Sequence, residues 1–291
     1  MKKIIILGHT GFIGNSIFLT LQKKYFKNKT IQIKGLSSKQ ANLLNKSSIK
    51  KLKKEITTNS IIIICSAIKS NYGNNLELFN KNLSMIKNIA YSINEKKIKK
   101  IIYLSSNAVY GVHRNCKLAN EKTQINTDTF YSLSKYISEQ TLKLVLGRKN
   151  EKKLIIIRPT IAYGPNERLI AGSPSGFIKL IKKKKNFFIW GNGNEIRDFL
   201  YIEDLTSIII KLISKNFYGI LNVSGFSSSY LYIIKKISKI LKIEPKITYR
   251  KRTTPKVNKT YSNKLVKKIF PKIKLTSIES GINKILKQES C

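Results

Sequence analysis

At 291 residues and 42% hydrophobic content, the chain can bury a sizeable core and exceeds the usual single-core domain of roughly 100 to 200 residues, so a large domain with a smaller appended one is expected. A formal charge of +41 draws attention to nucleic acid or acidic membranes, yet only seven of the 56 basic residues are arginine, the side chain whose bidentate fork suits base and phosphate recognition. The lysines are spread along the whole chain, the run Lys182 to Lys185 included, so they read as a solvated surface with no specific nucleic-acid partner, and no stretch approaches the ~20 apolar residues of a membrane span.

The start, Met1-Lys2-Lys3 before Ile4 to Leu7, has the outline of a signal peptide, but Gly8 and His9 end the apolar run where an h-region needs about 7 to 15 residues. A cytoplasmic protein is expected. Cys65, Cys116 and Cys291 have no metal-ligand spacing and cannot form an even disulfide framework, so they read as reduced thiols and no metal is expected.

Along the first half, Lys3 to Leu7, Ile31 to Leu36, Ser60 to Cys65, Lys100 to Ser105 and Lys153 to Arg158 read as strands. Helical patterns lie between them, including Phe12 to Phe26, Leu76 to Asn94 and Tyr131 to Leu146. Strands that are apolar throughout and separated by helices predict an α/β domain with a doubly wound parallel sheet buried on both faces and a ligand site at the strands' carboxyl ends. After Tyr163-Gly164-Pro165 the pattern changes to a loop, Gly172 to Gly176, then a helix, a turn at Gly191-Asn192-Gly193, and shorter elements to the C-terminus. The domain boundary is expected at 163/164.

The stretch "IIILGHTGFIGNS" feeds the first strand through Gly8, Thr10, Gly11, Phe12, Ile13 and Gly14 into a helix. Several N–H groups and the positive end of a helix dipole then meet at one point, which favours an anionic pyrophosphate, and small residues let the backbone approach it. Gly8-x-x-Gly11-x-x-Gly14 differs from the commoner G-x-G-x-x-G spacing by one residue, and a plain turn after a buried strand remains the bland alternative. His9 is read as a loop residue contributing only its backbone. The second strand should end with the residue that reads a cofactor ribose. "IQIKGLSSKQANLL" has no acid from Ile31 to Leu44, and Ser37, Ser38 and Lys39 stand where a 2′-phosphate would go, which leans slightly to NADP over NAD.

In "TFYSLSKYISEQ", Tyr131 and Lys135 are four apart on a predicted helix, so their side chains share one face about 6 Å apart. A fixed ammonium beside a phenol makes it easier to ionise, as a tyrosine general base at neutral pH requires. Upstream, "IIYLSSNAVYG" ends the fourth strand at Ser105-Ser106, where a hydroxyl could hold a substrate oxygen against Tyr131. Each signal is weak alone.

Together with "RPTIAYGPNE" at 158 to 167 and "GNGNEIRDFLYIEDL" at 191 to 205, these motifs resemble the extended short-chain dehydrogenase/reductase family, the NAD(P)-dependent epimerases and dehydratases of nucleotide sugars. The resemblance covers nearly the whole chain. It implies a Rossmann-type NAD(P)-binding domain over 1–163 and a mainly substrate-binding α/β domain over 164–291, of which about 198–224 returns to the Rossmann core. It also implies that Ser106 and Tyr131 bind the reacting oxygen while Lys135 holds the nicotinamide ribose and depresses the tyrosine's pKa. Asn107 joins Ser106 as a substrate contact. Asn82 matches an asparagine lining the cofactor site, and Arg197 one that contacts the phosphates of the sugar nucleotide, the alternative being a surface ion pair with Asp198. A homodimer through the helices beginning near Leu76 and Tyr131 is implied as well.

Three departures bear on the reaction. Nucleotide-sugar 4,6-dehydratases carry an Asp-Glu pair after the catalytic hydroxyl, where Asn107 and Ala108 stand here, which argues against a dehydratase. Ile161 replaces an asparagine of many epimerases, and Asn42 stands where an aspartate often meets adenine. The expected function is an NAD(P)-dependent epimerase or ketoreductase of a nucleotide-linked sugar. Open beside it are a non-catalytic NADP-sensing regulator or scaffold and a reductase of a non-sugar carbonyl. His113 and Cys116 are the candidates for additional ring-carbon chemistry.

Overall fold

The computed structural model describes residues 2–94, 96–167 and 172–289, which leaves Cys291 outside. In chain order the first elements are β1 (Lys2–Leu7), α1 (Phe12–Tyr25), β2 (Ile31–Leu36), α2 (Ser47–Glu55), β3 (Ile61–Ile64), α3 (Leu76–Ile93), β4 (Lys100–Leu104), β5 (Cys116–Ala119), α4 (Phe130–Leu146) and β6 (Leu154–Pro159). There follow β7 (Ile161–Tyr163), α5 (Pro174–Lys182), β8 (Phe187–Trp190), β9 (Ile196–Tyr201), α6 (Ile202–Ser214) and β10 (Gly219–Val223). The chain closes with β11 (Phe226–Ser229), α7 (Tyr230–Leu241), β12 (Ile247–Arg250), β13 (Lys259–Tyr261), α8 (Lys264–Ile269) and α9 (Ile278–Glu289).

The chain forms two compact units, the first comprising 1–112, 124–158 and 206–221 and the second 113–123, 159–205 and 222–291. The first unit thus takes back a segment late in the chain, and it gives up an excursion at 113–123 that no composition shift marks.

The first unit is built on a six-stranded sheet in the order β10-β6-β4-β3-β1-β2, with β1–β2, β1–β3, β3–β4 and β4–β6 all pairing in parallel. Its register aligns Ile5, Ile62, Ile101 and Leu154 in one row. Leu7, Ile64, Tyr103 and Ile156 form the next row on the same face. All eight side chains join one core with Ile86, Ile89 and Ile93 of α3 and Leu142 of α4. The alternate residues Ile4, Ile6, Ile63, Ile102 and Ile155 are equally buried, so both faces are covered. Glu55, the last residue of α2, ties β1 to β2, its carboxylate taking Lys3 of β1 and Lys34 of β2 at 2.7 Å each.

The second unit has its own core, in which Phe177, Ile178 and Ile181 of α5 meet Ile233, Ile234 and Ile237 of α7 and Ile282 and Ile285 of α9. Its largest sheet has the order β11-β9-β7, antiparallel at β11–β9 and parallel at β7–β9. The stretch Gly172 to Gly176, expected as a loop, turns into helix after two residues. Ser173 caps α5 by accepting the Gly176 N–H and Pro174 sits in the first turn, the position its missing N–H suits.

Two glycines shape the turn from β1 into α1. Gly8 has φ +82°, and a Cβ there would lie 2.9 Å from Ser66 Oγ. Gly14 is pressed against the turn so closely that a Cβ would stand 2.2 Å from the Gly8 carbonyl oxygen. At Gly11 the nearest atom would be 3.4 Å away, an ordinary contact. Gly14→Ala is therefore expected to lower unfolding stability by about 1–3 kcal/mol, as overpacking against backbone does. Gly11→Ala should stay within about 0.5 kcal/mol of wild type. Urea midpoints at unchanged m-value measure both, and equal midpoints for the two variants would refute the close approach at Gly14.

Candidate active site

The aligned strand ends of the first unit bring the phosphate-loop candidates together. The Gly8 N–H donates to the Leu36 carbonyl at 2.8 Å and the Cys65 N–H to the Leu7 carbonyl at 2.9 Å, which locks the ends of β1, β2 and β3 side by side. A cavity of about 300 Å³ opens there, lined by Gly8, Thr10, Gly11, Ser37, Ser38 and Asn42 among others. Helix α1 starts at its rim with no side-chain cap and no acidic residue in its first turn. The N–H groups of Phe12, Ile13 and Gly14, which precede any i−4 carbonyl, are donors without a competing carboxylate. This cradle, closed to any Cβ at Gly8 and Gly14, fits a pyrophosphate-bearing group.

The ribose-end candidates divide. Ser37 and Ser38 line the cavity, whereas Lys39 stands on the exposed turn beyond it and is not among the lining residues. The Ser37 hydroxyl donates to Gln40 Oε1, and its N–H reaches the same oxygen at 3.0 Å, so the turn holds itself together. His9 does more than lend its backbone. Its ring lies 5.0 Å from that of Phe18, and a Cβ on Gly35 would fall 2.4 Å from the imidazole, so it wedges α1 against β2.

Asn82 reaches the loop after β3 from α3. Its Oδ1 accepts the Ile68 N–H at 2.8 Å and its Nδ2 donates to the Ile68 carbonyl at 3.0 Å. Both ends of the amide latch this loop, whose Cys65, Ser66, Ala67 and Ile68 form one wall of the cavity. Asn82 is thus a support of that wall.

The reacting-group candidates meet where β4 ends and α4 begins. Ser106 starts a short 3₁₀ turn, Asn107–Tyr110, and its Oγ accepts the Ala108 N–H at 3.1 Å. Thr129 caps α4 reciprocally with Ser132 and so sets Tyr131 in the first turn. The Ser106 hydroxyl beside the Tyr131 phenol pulls the phenol's pKa down. Burial outweighs it and pushes Tyr131 up to about 12, so the expected depression by Lys135 is absent. The reason is where the ammonium goes. Lys135 Nζ donates to the Leu104 carbonyl at 2.6 Å and lies 6.0 Å from the centre of the Tyr131 ring. Burial lowers Lys135 to about 8, with Cys65 and Glu139 pulling it back up and Lys69 pushing it down.

One group was not singled out from sequence. Glu139, on the same helix one turn after Lys135, is fully buried and paired with Arg158. The legible signal was a carboxylate placed i+4 from Lys135 on an inward-facing helix row.

The remaining candidates lie in the second unit. Arg197 donates to the carbonyls of Val257 and, at 3.1 Å, Ile196, while Asp198 accepts from Thr160, Ser227 and the Gly225 N–H. The expected alternative of an Arg197–Asp198 ion pair is therefore not formed, since neighbouring residues of a strand face opposite ways. Cys116 is a buried residue of β5 and His113 an exposed one before it. Neither Cys65 nor Cys116 forms a disulfide, and among the described residues no His/Cys/Asp/Glu group could hold a metal and no helix is long and apolar enough to cross a membrane.

Comparison with known proteins agrees with this geometry. The chain is 27% identical over 82% of its length to a dTDP-D-glucose 4,6-dehydratase of Dictyostelium discoideum, of which it spans only 62%. It is 30% identical to a putative UDP-glucose 4-epimerase of Methanocaldococcus jannaschii, covering 69% of this chain and 70% of that protein. Its fold superposes on a UDP-glucuronic acid 4-epimerase from Bacillus cereus, solved with UDP-glucuronic acid and NAD, with TM-score 0.80, 20% identity and 99% coverage of both chains. Residues 4–224 match the NAD dependent epimerase/dehydratase family as a whole, and with the two-faced parallel sheet, the glycine cradle and the Ser106–Tyr131 pair in place, the chain belongs to that family.

Proposed function

We propose that this protein is an NAD(P)-dependent enzyme that moves a hydride at a carbinol or keto carbon of a nucleotide-linked sugar, as a 4-epimerase or a ketoreductase. The observation that carries the reading is the Tyr131 phenol beside the Ser106 hydroxyl, which lowers its pKa, with the Lys135 ammonium one helical turn away in the same unit as the glycine cradle. In this reading the unit holding the cradle is the cofactor-binding domain, and the second unit is mainly the substrate-binding one. The cradle of Gly8, Thr10, Gly11, Phe12, Ile13 and Gly14 would hold the pyrophosphate. Ser37 and Ser38 line the cavity where an acid is missing, with Lys39 on the exposed turn beyond it, which favours NADP slightly. When bound, the cofactor gives or takes the hydride.

The chain's own residues handle the oxygen and its proton. Ser106 orients the substrate oxygen, and Tyr131, protonated up to about pH 12 in the resting protein, donates a proton to a keto oxygen as it is reduced. The opposite direction asks Tyr131 to take a proton, which burial opposes and rising pH assists. Asn107 lies beside Ser106 as a second polar contact, and Arg197 is the candidate for the phosphates of the sugar nucleotide. The 3₁₀ turn after Ser106 carries Asn107 and Ala108 and no carboxylate, which supports epimerase or ketoreductase over the 4,6-dehydratase reaction.

Three cysteines in the sequence, with no metal-ligand spacing and no even disulfide framework, favour a cytoplasmic setting. A homodimer is supported by an apolar groove of about 480 Å³ between α3 and α4, lined by Leu83, Ala90, Tyr91, Ile137 and Val145 with Lys87 its one charged residue. The occupant this reading assigns is the same groove of a second copy.

Three outcomes follow. Tyr131→Phe should lower kcat by about 10²–10⁴-fold with KM nearly unchanged, followed by nicotinamide absorbance on nucleotide sugars, and undiminished turnover would remove the catalytic assignment. Lys135 is charged below its pKa, so kcat/KM for reduction should be full below about pH 8 and fall as pH rises through it, and a flat profile to higher pH would exclude Lys135 from the step. Light scattering should give a dimer for wild type and a monomer for Tyr91→Glu, and a monomeric wild type at micromolar concentration would rule the interface out.

A further inference from the structure

The ion pair under the Ser106–Tyr131 site is more than ballast. Arg158, at the end of β6, grips the Glu139 carboxylate with two prongs, Nε to Oε1 at 2.9 Å and Nη2 to Oε2 at 2.6 Å. The pair is almost wholly enclosed, with side-chain exposures of 2% and 0%. Its third guanidinium nitrogen, Nη1, donates to the Tyr110 hydroxyl at 2.9 Å, and the guanidinium also lies over the Tyr110 ring at 5.0 Å. The Ser105 hydroxyl donates to Glu139 Oε1, while the Ser105 N–H donates to the Ile157 carbonyl at 2.8 Å.

Burying two charges costs more desolvation than a hydrophobic pair of the same shape would, so packing alone does not account for them. Their connections do suggest a use. Ser105 is the residue before Ser106, Tyr110 closes the 3₁₀ turn that Ser106 opens, and Glu139 shares one helix with Tyr131 and Lys135. The network therefore grips both sides of the hydroxyl pair, the strand end on one and the helix on the other. Resting on the reaction assigned above, we propose that Glu139 is a positioning residue, acting through Ser105 and through Arg158 and Tyr110 to fix the Ser106 hydroxyl against the Tyr131 phenol and to balance the Lys135 ammonium. The groups facing that ammonium are Cys65 and Lys69 after β3, Tyr103 of β4, and Tyr131 and Glu139 of α4, and Glu139 is the carboxylate among them. A satisfied low-dielectric network of this kind holds its members more rigidly than separate bonds would.

The test compares Ser105→Ala, Glu139→Gln and Tyr131→Phe in the holoenzyme. Ser105→Ala keeps the ion pair and is expected to fold with a near wild-type melting temperature, yet to lose about tenfold or more in kcat with KM unchanged, because displaced reacting groups lose rate steeply. Glu139→Gln should move the alkaline limb of the kcat/KM profile to lower pH, since the ammonium loses its opposing charge, a shift that a purely structural role would not produce. Should Glu139→Gln fail to fold, Ser105→Ala alone decides. Wild-type kcat per folded molecule in Ser105→Ala, or an unmoved pH limb in folded Glu139→Gln, while Tyr131→Phe is inactive, would overturn the positioning role and leave the reaction standing. A fully active Tyr131→Phe would instead remove the reaction and this role with it.

Discussion

Everything at the candidate site depends on the register of the parallel sheet. Aligning Ile5 with Ile62, Ile101 and Leu154 brings the ends of β1, β3 and β4 within one residue of each other, so that Gly8, Cys65 and Ser105 follow the last strand residues at one edge, while β6 runs on to Pro159. In a sheet with one wet face, a one-residue slip exposes the apolar set and is strongly opposed. Here both faces are apolar, so hydrophobic alternation alone does not choose the register. Glu55 bridges Lys3 of β1 and Lys34 of β2, and the Gly8, Cys65 and Ser105 N–H groups continue the strand pairing past its last residues.

That edge is also a place where charge is expensive. Tyr131, Lys135 and Glu139 follow one another at single-turn spacing on α4, Arg158 of β6 pairs with Glu139, and burial is the first cause of the shift at both Tyr131 and Lys135. Low dielectric raises a lone phenol and lowers a lone ammonium, whereas the carboxylate and guanidinium of Glu139 and Arg158 survive by meeting each other in a bidentate pair. The same burial that keeps water from a reacting oxygen therefore sets which groups hold protons. Asn82 and His9 show a related economy of roles, Asn82 latching the loop that walls the cavity and His9 wedging its ring between α1 and β2.

Much was legible without coordinates. Runs of four to six apolar residues can form little except strands covered on both faces, and each helix between them carries a stripe for that cover. Glycines at 8 and 14 state where backbone must come close, because no other residue tolerates a carbonyl at the distance found at Gly14. The spacing of Tyr131 and Lys135 states that they share a helix face. Less legible were the start of α5, where Ser173 and Pro174 end the apparent loop early, and the excursion at 113–123, whose strand pairs with the distant residues of β13.

The sequence by itself determined the α/β class, the glycine turn and the set of hydroxyl, phenol and ammonium groups, because these follow from local periodicity and from side chains a few residues apart. Tertiary structure alone decided what those groups are in chemical terms. Whether Lys135 depresses Tyr131 depends on the Leu104 carbonyl that captures the ammonium, and whether Arg197 pairs with Asp198 depends on partners about 30 to 60 residues away. Dielectric surroundings and hydrogen-bond competition are properties of the packed interior, and no spacing along the chain records them.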